Sequence, residues 1–384
     1  MKNYLDTFNT LKTPFYWYDM DLLDRTLISV KQEADKYGFH VHYAVKANAN
    51  LPILEKIREY GFGTDCVSGN EVLRSLEAGF KPKEIAFAGV GKTDEEIAIG
   101  IENDIFSFNV ESIPELEVIN EIAAKLGKST NVSLRLNPNV AANTHEYITT
   151  GLNENKFGIN MMDMEEVLNV LATLSHIKLT GIHFHIGSQI TDLNDFKKLC
   201  ERINQIQDWF EEQDIKLEHI NAGGGLGIDY QNPDENSVPD FESYFKVFAE
   251  HLKLRPNQQL HFELGRSIVG QCGSLLTKVL YVKKGVQKQF AIVDAGFTEL
   301  IRPALYQAYH EIENISSTLP EEKYDVVGPI CESTDFFRKD VTLAGTKRND
   351  IIAIKSAGAY GQVMTSQYNL RTPVKAYYSD KQNK

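Results

Sequence analysis

From about residue 40 to 265, short β-prone runs alternate with longer stretches whose apolar residues recur at helical spacing. The runs are His42–Lys46, Gly63–Val67, Glu84–Ala88, Ile105–Phe108, Val132–Leu136, Leu179–His185, Leu217–Asn221 and Leu260–Leu264. Between them, Glu165–Leu174 and Asn194–Phe210 read as amphipathic helices. Eight β–α units in about 230 residues predict an α/β protein built on a (β/α)8 TIM barrel.

The texture changes after residue 265. Ser274–Val282, Gln289–Val293, Tyr324–Gly328, Asp340–Leu343, Asp350–Ile354 and Val374–Tyr378 are strand candidates with few helices between them. They predict a second, mostly antiparallel β domain. Phe15–Tyr18 has no barrel partner by count and is assigned to that domain. The expected division is therefore a barrel over residues 22–262 and a β-rich domain over 1–21 plus 263–384.

Composition narrows the classes. A chain of 384 residues fits two domains, and 42% hydrophobic with 24% charged residues is an ordinary globular balance. A net charge of -13 argues against nucleic acid or an anionic membrane surface as partner. The first residues lack an apolar core typical of a signal peptide, and no apolar run is long enough to span a bilayer. Cys66, Cys200, Cys272 and Cys331 show no paired spacing, so neither a zinc cluster nor a disulfide framework is indicated. The expected compartment is the reducing cytoplasm.

The ends of the predicted barrel strands, where barrel enzymes keep their chemistry, carry unusual polar residues. Lys46 ends the first run, where burial would favour the neutral amine that reacts with an aldehyde. Asp65 and Ser68 close the second, Arg135 and Asn137 the fifth. The sixth ends in His183-Phe-His185-Ile-Gly-Ser188, the seventh in Ala222-Gly-Gly-Gly-Leu-Gly227, the eighth in Glu263-Leu-Gly-Arg266. The glycine turn could bring backbone N–H groups to a phosphate, with the next helix adding its dipole, and Arg266 could clamp an anion. His183 and His185 would share one strand face. A His-x-His pair also suits zinc, but a metal site would need further His and Asp ligands at other strand ends, and His219 and His261 precede theirs, so no metal is expected. Ala86-Phe-Ala-Gly-Val-Gly-Lys92-Thr93 almost spells a nucleotide loop, yet its first glycine is alanine and nucleotide hydrolysis is rejected.

Several segments form one ordered set: Tyr43-Ala-Val-Lys46-Ala-Asn, His185-Ile-Gly-Ser188-Gln, Gly223-Gly224-Gly225 and Glu263-x-Gly265-Arg266. Asp294-Ala-Gly-Phe, Arg302-Pro-Ala-Leu-Tyr306, Gly328-Pro-Ile-Cys331-Glu332-Ser and Gly358-Ala-Tyr360-Gly continue it. From about residue 12 to 378 the chain resembles the alanine-racemase-type (fold type III) pyridoxal-phosphate decarboxylases. The resemblance implies pyridoxal 5'-phosphate as cofactor and a homodimer with shared active sites. Lys46 resembles the lysine that carries the cofactor, and Cys331 the proton donor entering from the partner subunit. Asp65, His185, Ser188, Gly224, Gly225, Glu263, Gly265, Arg266 and Tyr360 resemble cofactor contacts. Arg266, Arg302, Tyr306, Glu332 and Tyr360 resemble substrate contacts. The implied reaction is decarboxylation of meso-2,6-diaminopimelate to L-lysine, with carboxynorspermidine, ornithine or arginine as the alternative substrate. Leu264 departs from the proline usual between the glutamate and glycine; it removes no functional group.

Overall fold

The computed structural model describes residues 1–138 and 156–381. These residues form two compact units, one of 27–227 with 240–265, the other of 1–26, 228–239 and 266 onward. Segment 228–239, inside the range expected for the barrel, thus groups with the β unit.

Strand β1 (Phe15–Tyr18) lies in the β unit. The next eight strands close a parallel barrel. They are β2 (His40–Ala44), β3 (Gly63–Cys66), β4 (Ile85–Phe87), β5 (Ser107–Val110), β6 (Thr130–Arg135), β7 (Ile177–His183), β8 (His219–Asn221) and β9 (Gln259–Leu264). Closure comes from β9 pairing with β2, Glu263 opposite His42 and Leu264 opposite Tyr43. Strands β3, β4 and β5 are buried along their whole length, as parallel strands under covering helices must be. The helices expected at Glu165–Leu174 and Asn194–Phe210 form at Met164–Leu171 and Leu193–Glu212. Ser68, Ser112 and Asp192 cap helix starts by accepting backbone N–H bonds. Ser68, a candidate by its strand-end position, has this local role.

The β unit continues with β10 (Gly273–Lys284), β11 (Gln289–Val293), β12 (Ile312–Asn314), β13 (Glu321–Val327), β14 (Phe336–Ala344), β15 (Ile351–Ile354) and β16 (Lys375–Tyr378). Strand β12, three residues long, lies outside the strands read from the sequence. The pairings are antiparallel except β1 with β16 and β11 with β13. β1 lies between β10 and β16. Its Phe15 and Trp17 join Phe8, Leu276, Ile315 and Ile351 in an apolar cluster. That is why an aromatic run at the amino end belongs with the carboxyl-terminal strands.

Candidate active site

In the barrel unit, a cavity of about 420 Å³ opens among Lys46, Val67, Lys92, Arg135, His183 and Glu263, with Phe157 and His185 on its wall. Lys46 sits in a short turn, Val45–Ala47, directly after β2. Its Nζ lies 3.6 Å from a carboxylate oxygen of Asp65 at the buried end of β3. The Lys46 side chain is 39% exposed, so within this unit it is less shielded than its apolar run suggests.

Glu263 is the best-held group. Asn109 Nδ2 donates to its Oε1 at 2.9 Å, Asn221 Nδ2 to the same oxygen at 2.7 Å, and His183 Nε2 meets Oε2 at 2.8 Å. Gly223 N–H donates to Asn221 Oδ1 at 2.9 Å, which fixes the amide so that its NH2 faces the carboxylate. Burial opposes charge here, but the His183 ring and the Lys46 ammonium outweigh it and hold the carboxyl well below its ordinary range. Asp65 is the opposite case. Both its oxygens are buried without a hydrogen-bond partner, and burial together with the Glu263 charge raises its carboxyl well above the usual range. Of the two buried acids, the one with three donors keeps the negative charge.

β7 ends at His183, so His185 lies beyond the strand and the shared-face expectation fails. His183 turns inward to Glu263, whereas His185 Nδ1 accepts from Gly224 N–H at 3.4 Å. Burial, then Lys46 and Arg135, push the His185 imidazolium well below its ordinary pKa, so this ring is neutral. The glycines are needed for close packing. A Cβ on Gly224 would stand 1.9 Å from the Glu263 carbonyl oxygen, and one on Gly223 would stand 2.1 Å from the Phe184 carbonyl at a φ of +70°. No helix follows this turn directly; the next starts at Phe241, so the expected helix dipole is missing.

Two further candidates brace the rim. Arg135 donates to Glu111 at 2.7 Å, and Asn137 donates to Asn160 at 3.0 Å. Lys92 of the near-nucleotide loop donates to the carbonyls of Gly89 and Asn109 and to Glu115. Its ammonium therefore anchors the strand that carries Asn109.

The β unit holds the other predicted residues. Arg266 and Arg302 are buried and both donate to the hydroxyl of Tyr230, at 2.6 and 2.8 Å. Arg266 also lies over the Tyr360 ring, 4.9 Å from its centroid. Tyr306 ends the short helix begun by Arg302. Cys331 and Glu332 are exposed on a loop that Asp335 braces by accepting from Ile330 N–H and Phe297 N–H, both at 2.7 Å. Glu332 accepts from Tyr368 at 2.7 Å. The other three thiols are buried, and burial pushes Cys200 up to about 12 and Cys66 and Cys272 higher still. Ser188 and Gly265 lie in the barrel unit, after β7 and β9. Asn109, Asn221 and Tyr230 were missed; the two asparagines differ from ordinary strand residues only in being polar at the carboxyl end of a buried strand.

Residues 21–270 match the family model described as pyridoxal-dependent decarboxylase, pyridoxal binding domain. The chain is 60% identical over 377 residues to a diaminopimelate decarboxylase of Bacteroides thetaiotaomicron, covering 98% of each. The chain belongs to the diaminopimelate decarboxylase family of pyridoxal-dependent decarboxylases. Among solved members, the Helicobacter pylori diaminopimelate decarboxylase complexed with L-lysine superposes with a TM-score of 0.92 at 40% identity, over 99% of this chain and 95% of that one. That of M. jannaschii in co-complex with L-lysine gives 0.90 at 33%, over 98% and 89%. The decarboxylase barrel described above fits the family's cofactor: an amine beside an orphaned buried carboxyl, a neutral imidazole, an ionised carboxylate and a backbone turn free of Cβ atoms surround one cavity.

Proposed function

We propose that the chain decarboxylates meso-2,6-diaminopimelate to L-lysine and CO2 with pyridoxal 5'-phosphate, as a homodimer in the cytoplasm. The observation that supports this most is the Glu263 carboxylate, kept ionised by three donors beside the cavity that Lys46 enters. Bound pyridoxal phosphate would supply the electron sink that lets the α-carbon keep the electron pair of the broken C–C bond.

The chain's own residues do the rest. Lys46 would hold the cofactor covalently, and Asp65 lies against the lysine ammonium. Glu263, as an anion, would keep a proton on the cofactor's ring nitrogen. His185, neutral, would hold the cofactor ring, and Ser188, Gly224, Gly225 and Gly265 would take its phosphate through short groups and backbone N–H. Arg302 and Arg266 orient the substrate's distal carboxylate, with Tyr306, Glu332 and Tyr360 completing the recognition. Cys331, on the partner subunit's exposed loop, delivers the proton that takes the place of CO2. Its exposure sets it apart from the three buried thiols.

Released CO2 and lysine, measured with diaminopimelate, ornithine, arginine and carboxynorspermidine offered separately, test the substrate. Borohydride reduction followed by peptide mapping should place a pyridoxyl group on Lys46, and Lys46→Ala should abolish turnover. A Lys46→Ala subunit mixed with a Cys331→Ala subunit should regain activity if the sites are shared. An unmodified Lys46 peptide from cofactor-saturated protein overturns the assignment.

A further inference from the structure

We propose that Tyr230 is a positioning residue whose phenolic oxygen gathers the guanidiniums of Arg266 and Arg302 onto one atom and so sets their spacing for a substrate carboxylate. The inference rests on the reading that these two arginines take the distal carboxylate.

Two buried guanidiniums repel each other, and low polarity strengthens the repulsion. Tyr230 Oη accepts from Nη1 of Arg266 at 2.6 Å and from Nη1 of Arg302 at 2.8 Å. Both cations also lie toward the face of its ring, with Arg302 5.1 Å from the centroid and Arg266 5.9 Å. Among the described residues, no carboxylate pairs with Arg302. His310 cannot serve as the counter-charge. Its Nε2 accepts from Arg302 at 3.1 Å, its Nδ1 donates to the Lys355 carbonyl at 2.8 Å, and burial with the Arg302 charge lowers it to about 3. The phenol of Tyr360 also faces both arginines, and that of Tyr306 faces Arg266.

The oxygen is held in place by its own segment. Asp229 accepts from the N–H groups of Gln231 and Asn232 and from the Asn236 amide. Gln271 in turn donates to the Asn236 carbonyl at 2.6 Å. Tyr230 is thus carried on a self-braced loop, and the arginine spacing exists before substrate arrives. Each arginine gives the phenol one of the five N–H donors a guanidinium carries. Burial raises the phenol's pKa, but the two guanidiniums outweigh it and the net shift is downward.

The test is Tyr230→Phe in the cofactor-loaded enzyme, which removes one oxygen and keeps the ring. KM for diaminopimelate should rise about tenfold while kcat stays within about threefold. Inhibition by L-lysine, which keeps the distal carboxylate, should weaken about tenfold as well. Inhibition by 1,5-diaminopentane, which has no carboxylate, should be unchanged, and so should cofactor content. Equal loss for both inhibitors, or an unchanged KM, overturns the proposal. A second reading needs no variant: the ultraviolet tyrosinate band of the wild-type enzyme should contain one tyrosine that ionises below the free-tyrosine range and shifts when L-lysine binds. Absence of that tyrosine overturns the proposal even if Tyr230→Phe fails to fold. If the wild-type enzyme binds L-lysine but does not decarboxylate diaminopimelate, the functional reading fails while the inhibitor pair still judges the clamp.

Discussion

The two ends of the barrel interior are both lined with histidine, and the chain uses it in opposite ways. At the carboxyl ends of the strands, His183 meets the Glu263 carboxylate at 2.8 Å, with Asn109 and Asn221 on the same acid. At the amino ends, His42 Nε2 and His261 Nδ1 bond each other at 2.8 Å, and His219 Nε2 bonds Ser133 at 2.8 Å. The rings of His42 and His261 stack with Phe106. Burial pushes all three amino-end imidazoles down, His219 to about 3 and His261 well below its ordinary range. One end holds a charge at the cavity; the other excludes charge and serves as core. The residue type does not decide which, and the nearest neighbour does.

The largest expected effect comes from taking the charge out of the active end. Glu263→Gln keeps the shape but removes the anion and faces amide against amide at Asn109 and Asn221. Decarboxylation should fall at least about a hundredfold, roughly 3 kcal/mol of barrier, with cofactor still bound. The measurement is steady-state CO2 release beside the cofactor's absorbance; an unchanged rate would mean that the caged carboxylate is scaffolding. Asn221→Leu should act more mildly. It deletes one of three donors and orphans the Gly223 N–H, for about 1–3 kcal/mol of stability and on the order of a tenfold loss of rate. Chemical denaturation of the variant, read beside its turnover, separates the two losses.

This contrast also shows what was legible in the sequence. The barrel could be counted because its eight strands fall on short β-prone runs separated by helical stretches, and Glu263, Lys46 and the glycine turn stand out at strand ends. The caging asparagines could not be found that way. Asn109 and Asn221 gain their meaning from a glutamate that is 154 residues away from one and 42 from the other, a proximity that only barrel closure creates. His183 and His185 looked equivalent by spacing, yet the strand stops between them. Tyr230 was hidden differently: it follows the glycine turn, in a segment whose contacts lie with the β unit. Cys331 was indistinguishable from the other thiols by sequence chemistry alone, and the resemblance selected it.

The smallest expected effect on activity belongs to the amino end, whose signature is the pH dependence of stability. A histidine whose folded pKa lies below its unfolded value near 6.5 contributes stability above that pH and loses it as pH falls toward the folded value. Below about pH 6.5 the unfolded chain takes up protons that His42, His219 and His261 refuse, so each can add about 1.4 kcal/mol of destabilisation per pH unit. The Glu263 carboxyl is also depressed, but its contribution starts to fade only near the unfolded value of about 4.5. Between about pH 6.5 and 5, the imidazole cluster should therefore contribute to the acid sensitivity, alongside the other depressed imidazoles His40, His185 and His310. His219→Gln keeps a polar partner for Ser133 but cannot titrate. It should leave decarboxylation within about twofold and flatten the stability–pH slope over that window by up to one proton. Urea unfolding at several pH values measures it. A slope identical to wild type would mean that His219 is as easily charged in the folded barrel as in the unfolded chain, and the proposed division between a charged end and a neutral end would not hold.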